Sequence, residues 1–360
     1  MNKYDEINKL RKEIDYINIE MLKLLNKRTN IVMQISDLKD ISNINYFDPT
    51  REKDMIMEIL EYNNGPLPNE LVKEVFIKIF RASLNFMGIN KQEVKMLVNS
   101  NSTCSFTRIN EVFDIDPASP IIIAGPCAIE DNSTLEEVAL FLKKNSIRFI
   151  RGGAFKPRTS PYDFQGLGRD GLKMLNRVGK EHGLITVSEI VDTKDVEYAI
   201  QNVDIIQIGA RNMQNYELLK EVGRSNHPVL LKRGISATIN EFICAAEYMA
   251  LQGNRKILLC ERGIRTYETK TRNTLDISCI PIIAAETKLP IIVDLSHSLG
   301  RKDIIKNIAR AALASGADGI MVEVHPRPEL ALSDNLQQLN FSEFENMLDS
   351  LQNYYARNNE

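Results

Sequence analysis

Residues 120–360 alternate eight short apolar runs with stretches of helical periodicity, and no other feature of the sequence restricts the fold as severely. The runs lie at 121–124, 147–150, 184–187, 205–208, 229–231, 257–259, 291–293 and 320–322, and helical spacing fills 135–144, 171–182, 239–251 and 303–315. Runs this short, bounded by turn residues, read as strands buried on both faces. A helix between successive strands carries the chain back to the same end of the sheet, so the strands pair in parallel. Eight such units predict an α/β fold, a (β/α)8 TIM barrel, with an open doubly wound sheet as the alternative.

Barrels of this kind present their chemistry at the carboxyl ends of the strands. Here every end carries a reactive or charged group: Cys127 after Gly125-Pro126, Arg151, Glu189, Arg211, Lys232-Arg233, Glu261-Arg262, Asp294 with His297, and Glu323 with His325. The second end opens RGGAFKPRTSP at 151–161, where Arg151, Lys156 and Arg158 stand among glycines and the hydroxyls of Thr159 and Ser160. Glycine lets backbone N–H groups approach a ligand, and Arg and Lys grip phosphate and carboxylate, so the stretch reads as an anion cradle. Arg151, Lys156, Arg158, Arg211, Lys232 and Arg262 together form a cationic ring that repels itself unless anions enter. Two phosphates and a carboxylate would roughly balance it. Cys127, His297, Glu323 and Asp334 form a second set, of metal-ligand type. Thiolate and imidazole suit a borderline divalent metal, and carboxylates tolerate Mn or Fe.

The cationic chemistry has to be local, because 45 Lys and Arg against 48 Asp and Glu leave a formal charge of −3 and no general attraction to nucleic acid or an anionic membrane. Five cysteines, far apart and without a C-x-x-C pair, argue against a disulfide framework. No apolar run approaches the length of a membrane span, and the charged first residues provide no secretory segment. A cytoplasmic protein that binds neither nucleic acid nor membrane is expected.

Residues 1–88 follow another pattern. Leu10, Ile14, Ile17, Met21, Leu24, Ile31, Ile35 and Leu38 are spaced by three and four, as on one helix roughly 48 Å long, whose stripe needs a helical hairpin or a dimer to cover it. Arg28 interrupts the seam, and a cation there needs a counter-group. Lys39 returns to nearly the same face. Arg11 points about 100° away and could serve the same ligand only from another copy of the helix. Asp48-Pro49-Thr50-Arg51-Glu52 reads as the cap and first turn of a second helix, ended by Asn63-Asn64-Gly65-Pro66. A third follows over 68–88, with Leu71, Val75, Phe76, Ile79 and Phe80 inward.

This three-helix pattern, carrying Arg11, Arg28, Lys39, Asp48, Arg51, Glu52 and Ser83, resembles the all-helical class of chorismate mutase. The resemblance implies an intertwined dimer around a dicarboxylate, with Arg28, Arg51 and the partner's Arg11 on the carboxylates. Lys39 would bond the ether oxygen, Asp48 and Glu52 would orient the ring hydroxyl, and Ser83 would stand on the third helix. Such a rearrangement needs no proton transfer, only a compressed conformer and stabilisation of charge on the ether oxygen. Met87 stands where that family sets Gln or Glu, so a module that senses its ligand is carried beside the mutase.

Residues 89–119 read as a linker able to add small strands. From 120 onward, GPCAIE, RGGAFKPRTSP, IGARNMQN, LKRG, CERGIRTYE, DLSHSLGR, EVHP and LSD resemble 3-deoxy-D-arabino-heptulosonate 7-phosphate (DAHP) synthase, in the subfamily related to the eight-carbon sugar-acid (KDO 8-phosphate) synthases. The resemblance implies one divalent metal (Mn, Fe, Co or Zn) on Cys127, His297, Glu323 and Asp334. It places phosphoenolpyruvate on Arg151, Lys156, Arg211, Lys232 and Arg262, and erythrose 4-phosphate on Arg158, Thr159 and Ser160. The metal would polarise the sugar aldehyde, the enolpyruvate carbon would attack it, and water addition would release phosphate. Lys156 is the candidate proton donor, and Glu189 either activates the water or orients Lys232. The alternative is a barrel using arabinose 5-phosphate, with a purely regulatory or dimerising helical domain. Chorismate or prephenate, downstream of DAHP, is the expected feedback effector, and a homodimer or homotetramer the expected assembly.

Overall fold

A computed structural model describes residues 3–42, 49–90, 96–117, 119–158 and 160–358. The chain divides into two compact units, Met1–Lys95 and Met96–Glu360.

The first unit is all helical: α1 (Lys3–Ser42), α2 (Pro49–Glu61) and α3 (Asn69–Asn90). With 40 residues α1 extends for about 60 Å. α2 begins on its proline, whose missing N–H costs nothing in a first turn. On α3 the inward face is Val72, Phe76 and Phe80, one above another at intervals of four, with the Phe76 and Phe80 rings edge-on at 6.2 Å. Leu71 and Val75, expected inward, are 46% and 44% exposed. Each lies one position, or about 100°, off that face. The α1 stripe is exposed as well, including Leu10, Ile14, Ile17 and Leu24.

The second unit is a closed barrel of eight parallel strands in sequential order: β1 (Ile121–Gly125), β2 (Phe149–Arg151), β3 (Ile185–Ile190), β4 (Ile205–Ile208), β5 (Val229–Lys232), β6 (Ile257–Glu261), β7 (Ile291–Asp294) and β8 (Gly319–Glu323). β8 closes onto β1, with Ile121 opposite Gly319 and Gly125 opposite Glu323. α4 (Ile109–Val112) precedes the first strand, α13 (Phe341–Asn358) follows the last, and between strands run α5 (Asn132–Lys144), α6 (Arg169–His182), α7 (Val196–Ile200), α8 (Tyr216–Arg224), α9 (Ile239–Leu251), α10 (Cys279–Glu286), α11 (Leu295–Leu299) and α12 (Ile305–Ala314). Alternation along each strand separates two apolar layers. Ile121, Ile123, Phe149, Val187, Leu258 and Met321 belong to one cluster, and Ala124, Ile150, Ile206, Leu259 and Val322 pack with the helices in the other.

The described residues of 96–119 form no strand, only an isolated pairing of Asn99 with Thr287. A closed parallel barrel has no free edge for a strand to join. The segment fills the barrel instead. Ile109 of α4 is fully buried in the interior cluster, Phe113 and Ile115 pack against it, and the Phe113 ring meets Phe149 edge-on at 6.1 Å. Among the described residues, no helix is long and apolar enough to cross a membrane.

Candidate active site

The strand ends converge because parallel strands present all their carboxyl ends on one side of the barrel. Arg151, Lys232, Glu261, Asp294 and Glu323 are the last residues of β2, β5, β6, β7 and β8, and all are buried. Gly125 ends β1 at φ 145°, where a Cβ would stand 2.1 Å from the Arg151 carbonyl oxygen. Only glycine lets β1 turn there and set Cys127 beside Arg151.

Cys127, His297, Glu323 and Asp334 offer four ligand-type atoms all within 4.8 Å of one another. His297 Nε2 lies 3.5 Å from Glu323 Oε1 and 3.7 Å from Asp334 Oδ2, and Cys127 Sγ lies 3.3 Å from Asp334 Oδ2. The Nδ1 of His297 is 2.8 Å from Asp294 Oδ2, which also pairs with Lys232. Burial lowers the proton affinity of the His297 ring against the pull of Asp294 and Glu323, so the ring is neutral near pH 7. A neutral ring donating from Nδ1 leaves the Nε2 lone pair aimed at the cluster. Burial pushes the Cys127 thiol up to about 12, helped by Glu323 and opposed by Lys156. Burial also works against the charge on Glu323, but His297, protonated in the acid range where this carboxyl titrates, together with Arg151 and Lys156 outweighs it and holds the carboxyl well below the usual range. A thiol, a neutral imidazole and two carboxylates within one ligand sphere fit a divalent metal, which would displace the thiol proton on binding.

Around this cluster the cations are partly committed. Arg151 bonds Glu323 Oε1 at 2.7 Å, and Lys156 Nζ is 2.9 Å from Cys127 Sγ. Among the described residues, the buried Nε of Arg151 has no hydrogen-bond partner. Arg151, Lys156, Arg158, Arg211, Lys232 and Arg262 all line one cavity of about 330 Å3, with His297 and Asp334 in its wall. Glu189 lines it too. Burial raises its carboxyl against Lys156, Lys232 and Arg151, and Gln207 donates to it at 3.1 Å. A Cβ on Gly209 would come within 1.9 Å of that carboxylate, so the glycine after β4 makes room for Glu189.

Thr159 lies outside the described residues. Ser160 is half-buried and accepts from the Tyr162 N–H at 3.2 Å, but it is not among the residues lining the cavity. Arg233 and His325, also at strand ends, serve other purposes. Arg233 bonds Glu261 and Asp276 at 2.8 and 2.9 Å, and His325 accepts from the Arg327 N–H at 3.0 Å. Arg265, Arg272, Gln207 and Asn273 line the cavity without having been singled out by the sequence. Arg265 was visible inside CERGIRTYE, three residues past Arg262, while the others had no signal of their own.

In the helical unit the seam cation has found its partners. Arg28 lies 4.9 Å from the Phe80 ring centroid and donates to Ser83 Oγ, and Ser83 donates to the Ile79 carbonyl at 3.0 Å. Burial lowers the Arg28 guanidinium. Arg51 is exposed. Arg11 is also exposed, about 26 Å from Arg28 along α1. Asp48 and the side chains of Lys39, Glu52 and Met87 lie outside the described residues.

Residues 103–358 match the family model of the DAHP synthetase I family, and residues 10–87 match that of chorismate mutase type II. A phospho-2-dehydro-3-deoxyheptonate aldolase of Thermotoga maritima is 54% identical over 230 residues, 64% of this chain and 68% of that protein. A 2-dehydro-3-deoxyphosphooctonate aldolase of Desulfosudis oleivorans is 31% identical over 261 residues, covering 68% and 93%. The crystal structure of a Thermotoga maritima DAHP synthase superposes with a TM-score of 0.68 at 47% identity, covering 74% of this chain and 78% of that one. Its truncated form gives 0.67, covering 72% and 96%.

Proposed function

The chain belongs to the DAHP synthetase I family and carries a chorismate mutase domain, and from that premise we propose that its barrel condenses phosphoenolpyruvate with erythrose 4-phosphate at the cavity described above. The observation that carries the assignment of residues is the group of four ligand-type atoms within 4.8 Å, set in a cation-lined cavity. Arg151, Lys156, Arg211, Lys232 and Arg262 hold the enolpyruvate phosphate and carboxylate, and Arg158 with Thr159 and Ser160 receives the sugar phosphate. A divalent metal on Cys127, His297, Glu323 and Asp334 would supply Lewis acidity at the sugar aldehyde.

The remaining steps fall to the chain. A bond forms between the enolpyruvate methylene carbon and the aldehyde carbon, and Lys156 Nζ gives its proton to the new alkoxide. Water adds to the neighbouring cationic carbon, and the Glu189 carboxylate takes its proton. The hemiketal phosphate then collapses, and inorganic phosphate leaves into a ring of cations that stabilises its charge.

Relatives acting on eight-carbon sugar acids are distant, which supports the four-carbon sugar. Phosphate release from phosphoenolpyruvate, measured with erythrose 4-phosphate and with arabinose 5-phosphate, decides between them. Turnover of the five-carbon sugar alone would sink the assignment.

In the helical unit Arg28, Arg51, Lys39, Asp48, Glu52 and Ser83 grip chorismate together with the partner's Arg11. The exposed α1 stripe and the distance between Arg11 and Arg28 support a dimer, and the cytoplasm is the compartment proposed for it. Chorismate or prephenate bound there acts back on the barrel as effector. Prephenate added to the DAHP assay tests that, and an unchanged rate would rule the effector role out.

A further inference from the structure

Residues 333–338, between β8 and α13, bring more to the site than Asp334. Gln337 is buried, with its amide between Arg272 and Glu323. Its Oε1 accepts from the Arg272 guanidinium at 2.6 Å, and its Nε2 donates to Glu323 Oε2 at 2.6 Å. A guanidinium only donates and an ionised carboxylate only accepts, so a single orientation of the amide satisfies both. Gln338 is fully buried and set by the same logic. Its Nε2 donates to the Ser333 carbonyl at 2.8 Å, and its Oε1 accepts the Cys127 backbone N–H at 3.0 Å. Neither a carboxylate nor an apolar side chain could serve both partners at either position.

With Glu323 Oε2 taken by Gln337, Oε1 is the oxygen that faces His297 Nε2 at 3.5 Å, and it also accepts from Arg151 at 2.7 Å. Cys127, held through its backbone, keeps its sulfur 3.3 Å from both Ser333 Oγ and Asp334 Oδ2. The segment therefore ties the end of β1 and the end of β8 to the loop that carries Asp334.

We propose that Gln337 and Gln338 are positioning residues for the metal site: Gln337 presents one oxygen of Glu323, Gln338 holds Cys127 in place, and Arg272 supports Gln337 from outside. The inference rests on reading Cys127, His297, Glu323 and Asp334 as metal ligands. Outer partners of this kind typically change metal affinity by about 10–100-fold.

The test is titration of the metal-free full-length protein with Co(II), following the ligand-field bands and the thiolate charge-transfer band, beside a denaturant midpoint for each variant. Gln337→Met, isosteric but unable to hydrogen-bond, raises the Co(II) dissociation constant about 10–100-fold and alters the ligand-field bands while the thiolate band persists. Gln338→Met weakens the thiolate band. Arg272→Met, at a side chain 37% exposed that also pairs with Asp334 Oδ1 at 3.3 Å, acts on the site both through Gln337 and through Asp334, and shifts affinity by a smaller factor. It keeps the inference falsifiable if the buried replacements do not fold. Folded Gln337→Met and Arg272→Met proteins with wild-type affinity and spectrum overturn the proposal, as does lower stability at unchanged affinity. Failure of the underlying reading looks different, because Cys127→Ser would then bind Co(II) as wild type does.

Discussion

The two units of this chain cover their apolar surfaces in different ways. In Met96–Glu360 the barrel interior, the strand–helix layer and the α4 plug are buried by the unit's own residues, and the candidate site is made of side chains lodged among them. In Met1–Lys95 the longest helix leaves its stripe exposed, Leu24 by 65%, and among the described residues a single chain brings Arg28 to Ser83 and Phe80. A closed sheet supplies every strand with two neighbours, whereas three helices cannot enclose one that is about 60 Å long. Chemistry in the barrel should therefore answer to substitutions within one chain, and chemistry in the helices to association as well.

Metal removal gives the largest contrast. Chelation, or Cys127→Ser, should lower DAHP formation on the order of a thousandfold or more, since Lewis-acid stabilisation is worth several kcal/mol. Chorismate consumption by the same sample should not change. Equal loss of both activities would erase the separation.

Next comes Lys232→Met, which removes the cation paired with buried Asp294. Breaking such a pair costs about 3–5 kcal/mol, so denaturant unfolding followed by circular dichroism should show the barrel transition move to lower denaturant and the helical one stay. Arg28→Ala should lower chorismate turnover roughly a hundredfold, by loss of a preorganised charge contact, with DAHP synthesis unaltered. A parallel fall in DAHP synthesis would mean that the helical unit acts on the barrel even without effector.

The smallest effect is expected for Leu24→Lys on the α1 stripe. Burying a leucine is worth about 1.5–3 kcal/mol, so the proposed dimer should dissociate at roughly tenfold to hundredfold higher concentration in sedimentation experiments. Unchanged association would remove the stripe from the contact.

Much of the barrel was legible in the sequence because strand and helix differ in period and each strand end was punctuated by a polar group. All eight apolar runs became strands, and their observed ends fall within two or three residues of the expected ones. The α1 seam was legible for the same reason, and the expected partner of Arg28 proved to be an aromatic face and a hydroxyl. Periodicity could not decide the exact face of α3, where Leu71 and Val75 lie one step from the buried row. Nor could it reveal that 109–115 plugs the barrel, since an apolar run of that length suits a strand equally well.

What the sequence determined by itself was the kind of residue available at each strand end, and so the chemistry of a cationic cavity beside a metal-ligand set. Tertiary structure decided which of those groups meet. Arg233 and His325 stand at strand ends like the others, yet Arg233 is bound by Glu261 and Asp276 and His325 by the Arg327 N–H. Gln337 and Gln338 carry no motif, yet they reach Glu323 and Cys127. The reason is geometric: a strand end is defined along the chain, but a hydrogen bond needs two groups about 3 Å apart, and closing the barrel is what sets that distance.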